Sequence, residues 1–212
     1  MYYGQNEEDK YIEEFFPKYY IGNCIEIGGG NNGITHSNTY YFEKKGWNTL
    51  VVEAQPEFVN NIKKNRKNVL NAAVTSQAGE EIDFNVVYCN GIPWGGMSSI
   101  EIDHRLVEVH KNMGFMIETK KIKVPSISLH ECILNHFGDK VLIDFISIDT
   151  EGTELDVIKS IDFGKIKVRM LVIENNFDSE SDNKIHEYLS NIGWKRQTVL
   201  HQNEFYINHN EL

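Results

Sequence analysis

The stretch from Cys24 to Gly33, Cys-Ile-Glu-Ile-Gly-Gly-Gly-Asn-Asn-Gly, constrains the fold of this chain more than any other. Ile25 and Ile27 have the spacing of a buried strand, and Gly28, Gly30 and Gly33 allow a tight bend whose backbone approaches a ligand closely. The spacing satisfies G-x-G-x-x-G, so a nicotinamide-dependent oxidoreductase is one reading. Glu26 weighs against it, because a carboxylate at the strand exit repels a pyrophosphate and attracts a cation. S-adenosylmethionine carries an ammonium and a sulfonium and meets that requirement.

With 212 residues, 41% hydrophobic and 25% charged, the chain suits a single domain with a substantial core. The expected division is an N-terminal helix at about 6–16, a cofactor-binding half at about 22–88 and an acceptor or catalytic half at about 89–212. A net charge of -10 argues against a nucleic-acid partner, which calls for a basic surface. No apolar run is long enough to span a bilayer, and the opening residues lack a basic stretch followed by a hydrophobic one. A soluble, intracellular protein is expected. Cys24, Cys89 and Cys132 are too far apart for a zinc site or a disulfide framework and are read as reduced.

Along the chain, strands alternate with helices. Asn6 is placed to cap the first helix, and Pro17 closes it. The segment from Ile34 to Lys45 reads as a second helix, with the polar run His36-Ser37-Asn38-Thr39 near its start and Gly46 at its end. Leu50-Val51-Val52-Glu53 is a second strand, whose terminal acid lies roughly 20 residues after the glycine turn, as ribose-binding acids do. Pro56 opens a third helix running to about Lys67, and Val69 to Val74 is the third strand, with small Ala72 and Ala73 near the cleft. This alternation implies a doubly wound α/β fold with a mostly parallel sheet and ligands at the strands' carboxyl ends.

Ile82 to Tyr88 is a further strand, followed by a turn-rich loop in which Trp94 stands beside Gly95 and Gly96 as a candidate stacking platform for an acceptor. A helix from Ile102 to Met113 carries His104 and His110, both candidate general bases. Phe115 to Leu129 is extended chain, and Leu129 to Phe137 a helix. Val141 to Asp149 is a strong apolar strand that exits into Asp149-Thr150-Glu151-Gly152-Thr153-Glu154, which brings Asp149 and Glu151 to the cleft. Met170 to Glu174 is another strand, a helix runs from about Asp182 to Ile192, and Lys195–His201 and Glu204–Ile207 form an antiparallel pair.

Several motifs together resemble the FkbM-type methyltransferases: Gly4 to Asp9, the glycine turn leading into Ser37 to Glu43, Val-Glu-Ala-Gln-Pro ending at Pro56, and Asp144 to Glu154. The resemblance covers most of the chain and implies a class I, Rossmann-like fold with a seven-stranded sheet and a C-terminal antiparallel strand pair. It implies a cofactor site of Glu26, Gly28, Gly30, Asn32, Gly33, Ser37, Asn38, Glu53 as ribose acid, Ala54, and Ala72 and Ala73 near adenine. Asp149 and Glu151 would stand beside the methyl group and acceptor. The implied activity is S-adenosylmethionine-dependent O-methylation, with a sugar or glycan hydroxyl, such as that of a deoxyhexose, as the favoured acceptor. Asp149, Glu174 and Asn175, at adjacent strand exits, are a candidate Mg²⁺ or Mn²⁺ set. The competing readings are the oxidoreductase and a binding module that keeps the fold without turnover.

Overall fold

The structure is a computed structural model that describes residues 1–76, 78–174 and 179–211. In chain order the strands are β1 (Asn23–Ile27), β2 (Asn48–Glu53), β3 (Val69–Asn71), β4 (Ala73–Val74), β5 (Glu81–Cys89), β6 (Ile92–Pro93), β7 (Ile117–Ile127), β8 (Leu142–Ile148), β9 (Lys167–Glu174), β10 (Lys195–Leu200) and β11 (Asn203–Ile207). The helices are α1 (Glu8–Glu13), α2 (Tyr40–Lys44), α3 (Pro56–Ile62), α4 (His104–Asn112), α5 (Leu129–Phe137), α6 (Glu154–Lys159) and α7 (Ser179–Asn191).

The large sheet has seven strands in the order β10-β11-β9-β8-β1-β2-β3, parallel except for β11, which runs antiparallel to both its neighbours. Strands buried on both faces read as largely apolar runs, as Leu142 to Ile148 and Val168 to Ile173 do, interrupted by Ser147 and by Asp144 and Arg169, which pair with each other at 2.8 Å. One face buries Ile25, Ile27, Val52, Ile146 and Ile148 with Leu129, Ile133, Val157 and Ile158 of α5 and α6. The other buries Cys24, Phe145, Val172 and Phe205 with Ile12, Phe42 and Trp47. The fold is therefore the mostly parallel, doubly wound sheet with a closing antiparallel pair that the alternation of strands and helices implied.

A second sheet, β4-β7-β5-β6, is built from the segment between the third and fourth parallel strands of the large one. The expected third strand, Val69 to Val74, is divided: β3 pairs with β2, whereas β4 pairs with β7. Ala72 lies at the crossing, and its N–H still donates to Glu53 O at 3.1 Å. The second sheet packs its own apolar residues, Phe84, Val86 and Val124, against Ala73, with Ala54 beside them.

Helices α1, α2 and α3 are shorter than expected, α3 ending at Ile62 rather than at about Lys67. Glu7, not Asn6, precedes α1, in a left-handed conformation with φ 62°. The segment preceding α2 is a loop, not a helix, because His36 is left-handed (φ 64°) and bridges Gly4, while Ser37 Oγ accepts from Tyr40 N at 3.0 Å and so starts the helix there. The N-terminal segment is sewn down by buried acids. Glu8 accepts from Asn6 N (2.8 Å) and from Asn203 Nδ2 (3.0 Å), and Asp9 accepts from Tyr3 N (2.6 Å).

Candidate active site

Register places the chemistry in one row. Ile27 is level with Val52 of β2 and Ile148 of β8, and Ile148 is level with Ile173 of β9. The residues that follow, Gly28, Glu53, Asp149 and Glu174, leave the same edge of the sheet side by side. Gly28 has φ 90°, and a β-carbon there would lie 1.8 Å from Asp149 O, so only glycine permits β1 and β8 to approach so closely. Gly30, also left-handed, has nothing within 4 Å of the space a side chain would take. The turn is thus closed against the protein at Gly28 and open at Gly30.

Glu26 does not present a free charge to a ligand, contrary to the sequence expectation. Its carboxylate is buried and accepts from Ser37 Oγ (2.7 Å), Asn38 N (2.9 Å), Thr39 Oγ1 (2.7 Å) and Arg66 Nη1 (3.0 Å). Arg66 also donates to Gly33 O (2.9 Å), Thr39 Oγ1 (2.7 Å) and Glu43 Oε2 (2.8 Å), with its own side chain fully buried. Burying a carboxylate is costly unless donors or a cation compensate it, and Arg66 does so for Glu26 and Glu43 together. The network holds the glycine turn and the 37–39 loop in place. Ser37 and Gly33 therefore face Arg66 rather than the cleft. Asn32 folds back on its own turn, its Oδ1 accepting from Ile34 N and Thr35 N at 2.9 Å each. Asn38 donates through Nδ2 to Ser147 Oγ at 3.0 Å. Sequence reasoning missed Arg66 because Lys63-Lys64-Asn65-Arg66-Lys67 reads as a solvated helix end; the signal available was the unpaired acid at position 26.

Glu53 is 7% exposed, and its Oε1 accepts from Gln55 N at 2.8 Å. Burial pushes its carboxyl up to about 7, against the pull of the N–H groups of Gln55, Gly29, Gly30 and Ala54, which favour the ionised form. Because the folded-state value lies above that of an unfolded glutamate, the folding contribution is fully present in acid. It falls as pH rises from the unfolded value through about 7. At about 1.4 kcal/mol per unit, the loss amounts to about 3 kcal/mol. Glu53→Gln should therefore be more stable than the parent above pH 7 without cofactor, the gain shrinking towards pH 4.5. Urea denaturation at pH 5 and pH 8 measures it, and an equal difference at both values would refute the assignment.

The Asp149 to Glu154 turn is organised by its last residue. Buried Glu154 accepts from Thr150 N and Gly152 N, both at 3.0 Å, and between them Glu151 is left-handed with φ 58°. One oxygen each from Asp149, Glu151 and Glu174 lies within 4.8 Å of the others. Although solvent reaches Asp149, the surrounding protein desolvates it, and the charge and hydrogen bond of Glu174 add to that, so its carboxyl is held well above the usual range. Asn175, the third member of the expected metal set, lies outside the described residues; Glu151 stands with Asp149 and Glu174 instead.

The second sheet carries Trp94 to this cluster. A β-carbon on Gly96 would lie 3.3 Å from Trp94 Nε1 and 3.5 Å from Glu151 Oε1, so the indole N–H and the carboxylate both border this one small residue. His110 packs edge-on against Trp94 with ring centroids 4.7 Å apart, and its Nδ1 donates to Leu106 O at 2.8 Å. His110 is therefore placed to prop the indole. His104 is exposed at the first position of α4. Ala54 packs beside Ala73 in the second sheet's cluster, whereas the Ala72 side chain belongs to the main core.

The family model of the methyltransferase FkbM domain matches residues 27–196. The chain belongs to this family. It is accordingly an S-adenosylmethionine-dependent methyltransferase, and the nicotinamide reading of the glycine turn is withdrawn. No curated protein matches the sequence. Among solved structures, the METTL16 MTase domain (crystal form 2) is similar at 16% identity and a TM-score of 0.50, over 95% of this chain and 65% of that one. This likeness shows the Rossmann-like class I fold. The chain spans about two thirds of that structure's length. A delta-N METTL16 MTase domain matches at 16% identity, TM-score 0.49, over 94% of this chain and 78% of that one. The precorrin-6y C5,15-methyltransferase of Geobacter metallireducens GS-15 matches at 13%, TM-score 0.46, over 96% and 88%. No helix among the described residues is long and apolar enough to cross a membrane.

Proposed function

We propose that the chain methylates a hydroxyl of a sugar or glycan, working as one catalytic domain. The observation that carries this reading is Asp149, a carboxyl held above its usual range at the strand exit, beside Glu174 and opposite the Trp94 face of the second sheet. A hydroxyl is a weak nucleophile until its proton leaves, and a carboxylate with a raised pKa is a better acceptor for that proton. Trp94 offers a flat apolar surface with one donor, suited to a sugar ring, and the net charge of -10 favours a neutral acceptor over a polyanion.

The donor set fits the cofactor. Glu53 would accept from the ribose hydroxyls, the backbone at Gly28 and Gly30 would lie against the amino-acid part, and Ala54 and Ala73 would flank the base. Glu26, Asn32, Gly33, Ser37 and Asn38 would serve by fixing the turn. Bound S-adenosylmethionine would supply an activated methyl group for the acceptor oxygen, leaving as S-adenosylhomocysteine. Asp149 takes the hydroxyl proton, Glu151 orients the acceptor, and Trp94 with His110 behind it aligns the ring. Such alignment contributes about 7–11 kcal/mol and the base about 10²–10⁴-fold in rate.

A second reading adds a divalent cation. Asp149, Glu151 and Glu174 form an all-oxygen set of the kind Mg²⁺ or Mn²⁺ takes, and a cation there would relieve the repulsion that raises Asp149. It would supply Lewis acidity to the acceptor hydroxyl. Parallel calorimetric titrations with S-adenosylmethionine, S-adenosylhomocysteine and NAD, with Mg²⁺ or after exhaustive chelation, test both. The first two ligands should bind and NAD should not. NAD binding alone would sink the cofactor assignment, and methyl transfer to sugars unchanged by chelation would remove the metal.

A further inference from the structure

Gln55 is 1% exposed, and neither its Nε2 nor its Oε1 has a hydrogen-bond partner. A whole amide buried without partners is unfavourable and calls for an explanation. Among the described residues, the buried side-chain amide atoms in this condition belong to Gln55 and Asn38 alone, on the segments leaving β2 and β1. Helix capping does not account for Gln55. It occupies the N-cap of α3, but its side chain makes no capping bond.

Its position suggests what it is for. Gln55 follows the Glu53 acid by two residues at the exit of β2, and its backbone N–H donates to the Glu53 carboxylate at 2.8 Å, which holds the start of α3 beside that acid. Between them, Ala54 packs with the Ala73 cluster, a small apolar surrounding. Asn71, the other amide at this edge, is committed: its Nδ2 donates to Glu53 O and Ala54 O at 2.9 Å each.

We infer that Gln55 recognises the adenine of the cofactor, its Oε1 accepting from the 6-amino group and its Nε2 donating to the neighbouring ring nitrogen. A primary amide and that edge of adenine match as two parallel hydrogen bonds, which would satisfy both orphaned atoms at once. The inference rests on the reading of Glu53 as the ribose ligand, since the base is attached to that ribose.

The test compares S-adenosylhomocysteine with its 6-desamino analogue, in which purine replaces adenine, by calorimetry on the wild type, Gln55→Leu, Gln55→Met and Glu53→Ala. The wild type should prefer the adenine ligand by about tenfold. That preference should vanish in both Gln55 variants, and their ligand-free melting temperatures should rise because the orphaned amide is gone. Equal binding of the two ligands by the wild type would overturn the inference without reference to any variant. So would a preference that survives in the variants, or a lower melting temperature in both. Undiminished affinity in Glu53→Ala would remove the ribose reading instead, whereas a loss there with no change at Gln55 would remove only the role of Gln55.

Discussion

Arg66→Met is expected to lower stability by about 3–5 kcal/mol, because it leaves two buried carboxylates facing each other without the cation between them. Glu26 and Glu43 approach Arg66 at 3.0 and 2.8 Å, and all three side chains are almost fully buried. Either carboxylate would then have to take a proton or draw in water, and both responses disturb the 37–39 loop. Arg66→Lys should lose less, since the charge stays, but it cannot reach Glu26, Glu43, Gly33 and Thr39 from one planar fork. Urea denaturation at pH 7 reads both. A loss below about 1 kcal/mol in the methionine variant would show that the network contributes no more than a surface ion pair.

Asp149→Asn is the complementary case, with a large effect on chemistry and little on the fold. Turnover should fall by about 10²–10⁴-fold, the usual contribution of a positioned base. S-adenosylhomocysteine affinity should change little, because the proposed ribose ligand is on a different strand. The variant should also melt no lower than the parent, since removing the charge relieves the burial and repulsion that hold the Asp149 carboxyl high. Single-turnover rates on a sugar acceptor that the wild type methylates decide the matter. Unimpaired transfer would take Asp149 out of the mechanism and shift attention to Glu151.

Asp149 leaves the sheet edge and Arg66 lies in the connection between α3 and β3, and only the first could be read from the sequence. Asp149 and Glu53 end apolar strands, and the rule that ligands gather at parallel strands' carboxyl ends singles them out directly. Arg66 carries no such mark. Its partners come from β1, α2 and the glycine turn, and its importance follows from the burial of Glu26, which no local pattern encodes. The loop from Ile34 to Thr39 is hidden for the same reason: its residues tolerate a helix, but the Ser37 and Thr39 hydroxyls and the Asn38 N–H are committed to Glu26. The division of β3 from β4 was equally hidden, because Val69 to Val74 is a continuous extended run and only the distant partner strand, β7, draws its second half away. His110 looked like a base by its chemistry; its Nδ1 bond to Leu106 and its packing on Trp94 depend on how α4 lies over the second sheet.

The bond from Asn203 to Glu8 joins residues 195 positions apart in the chain. Glu8 and Asp9 are wholly buried, so the segment that contains them gains little by settling before its distant partner is in place. Contacts of such long sequence separation close late, after local hairpins and helices have formed. The segment around Glu8 is therefore expected to dock late, once the β10–β11 pair that carries Asn203 has formed, although it precedes that pair by most of the described chain.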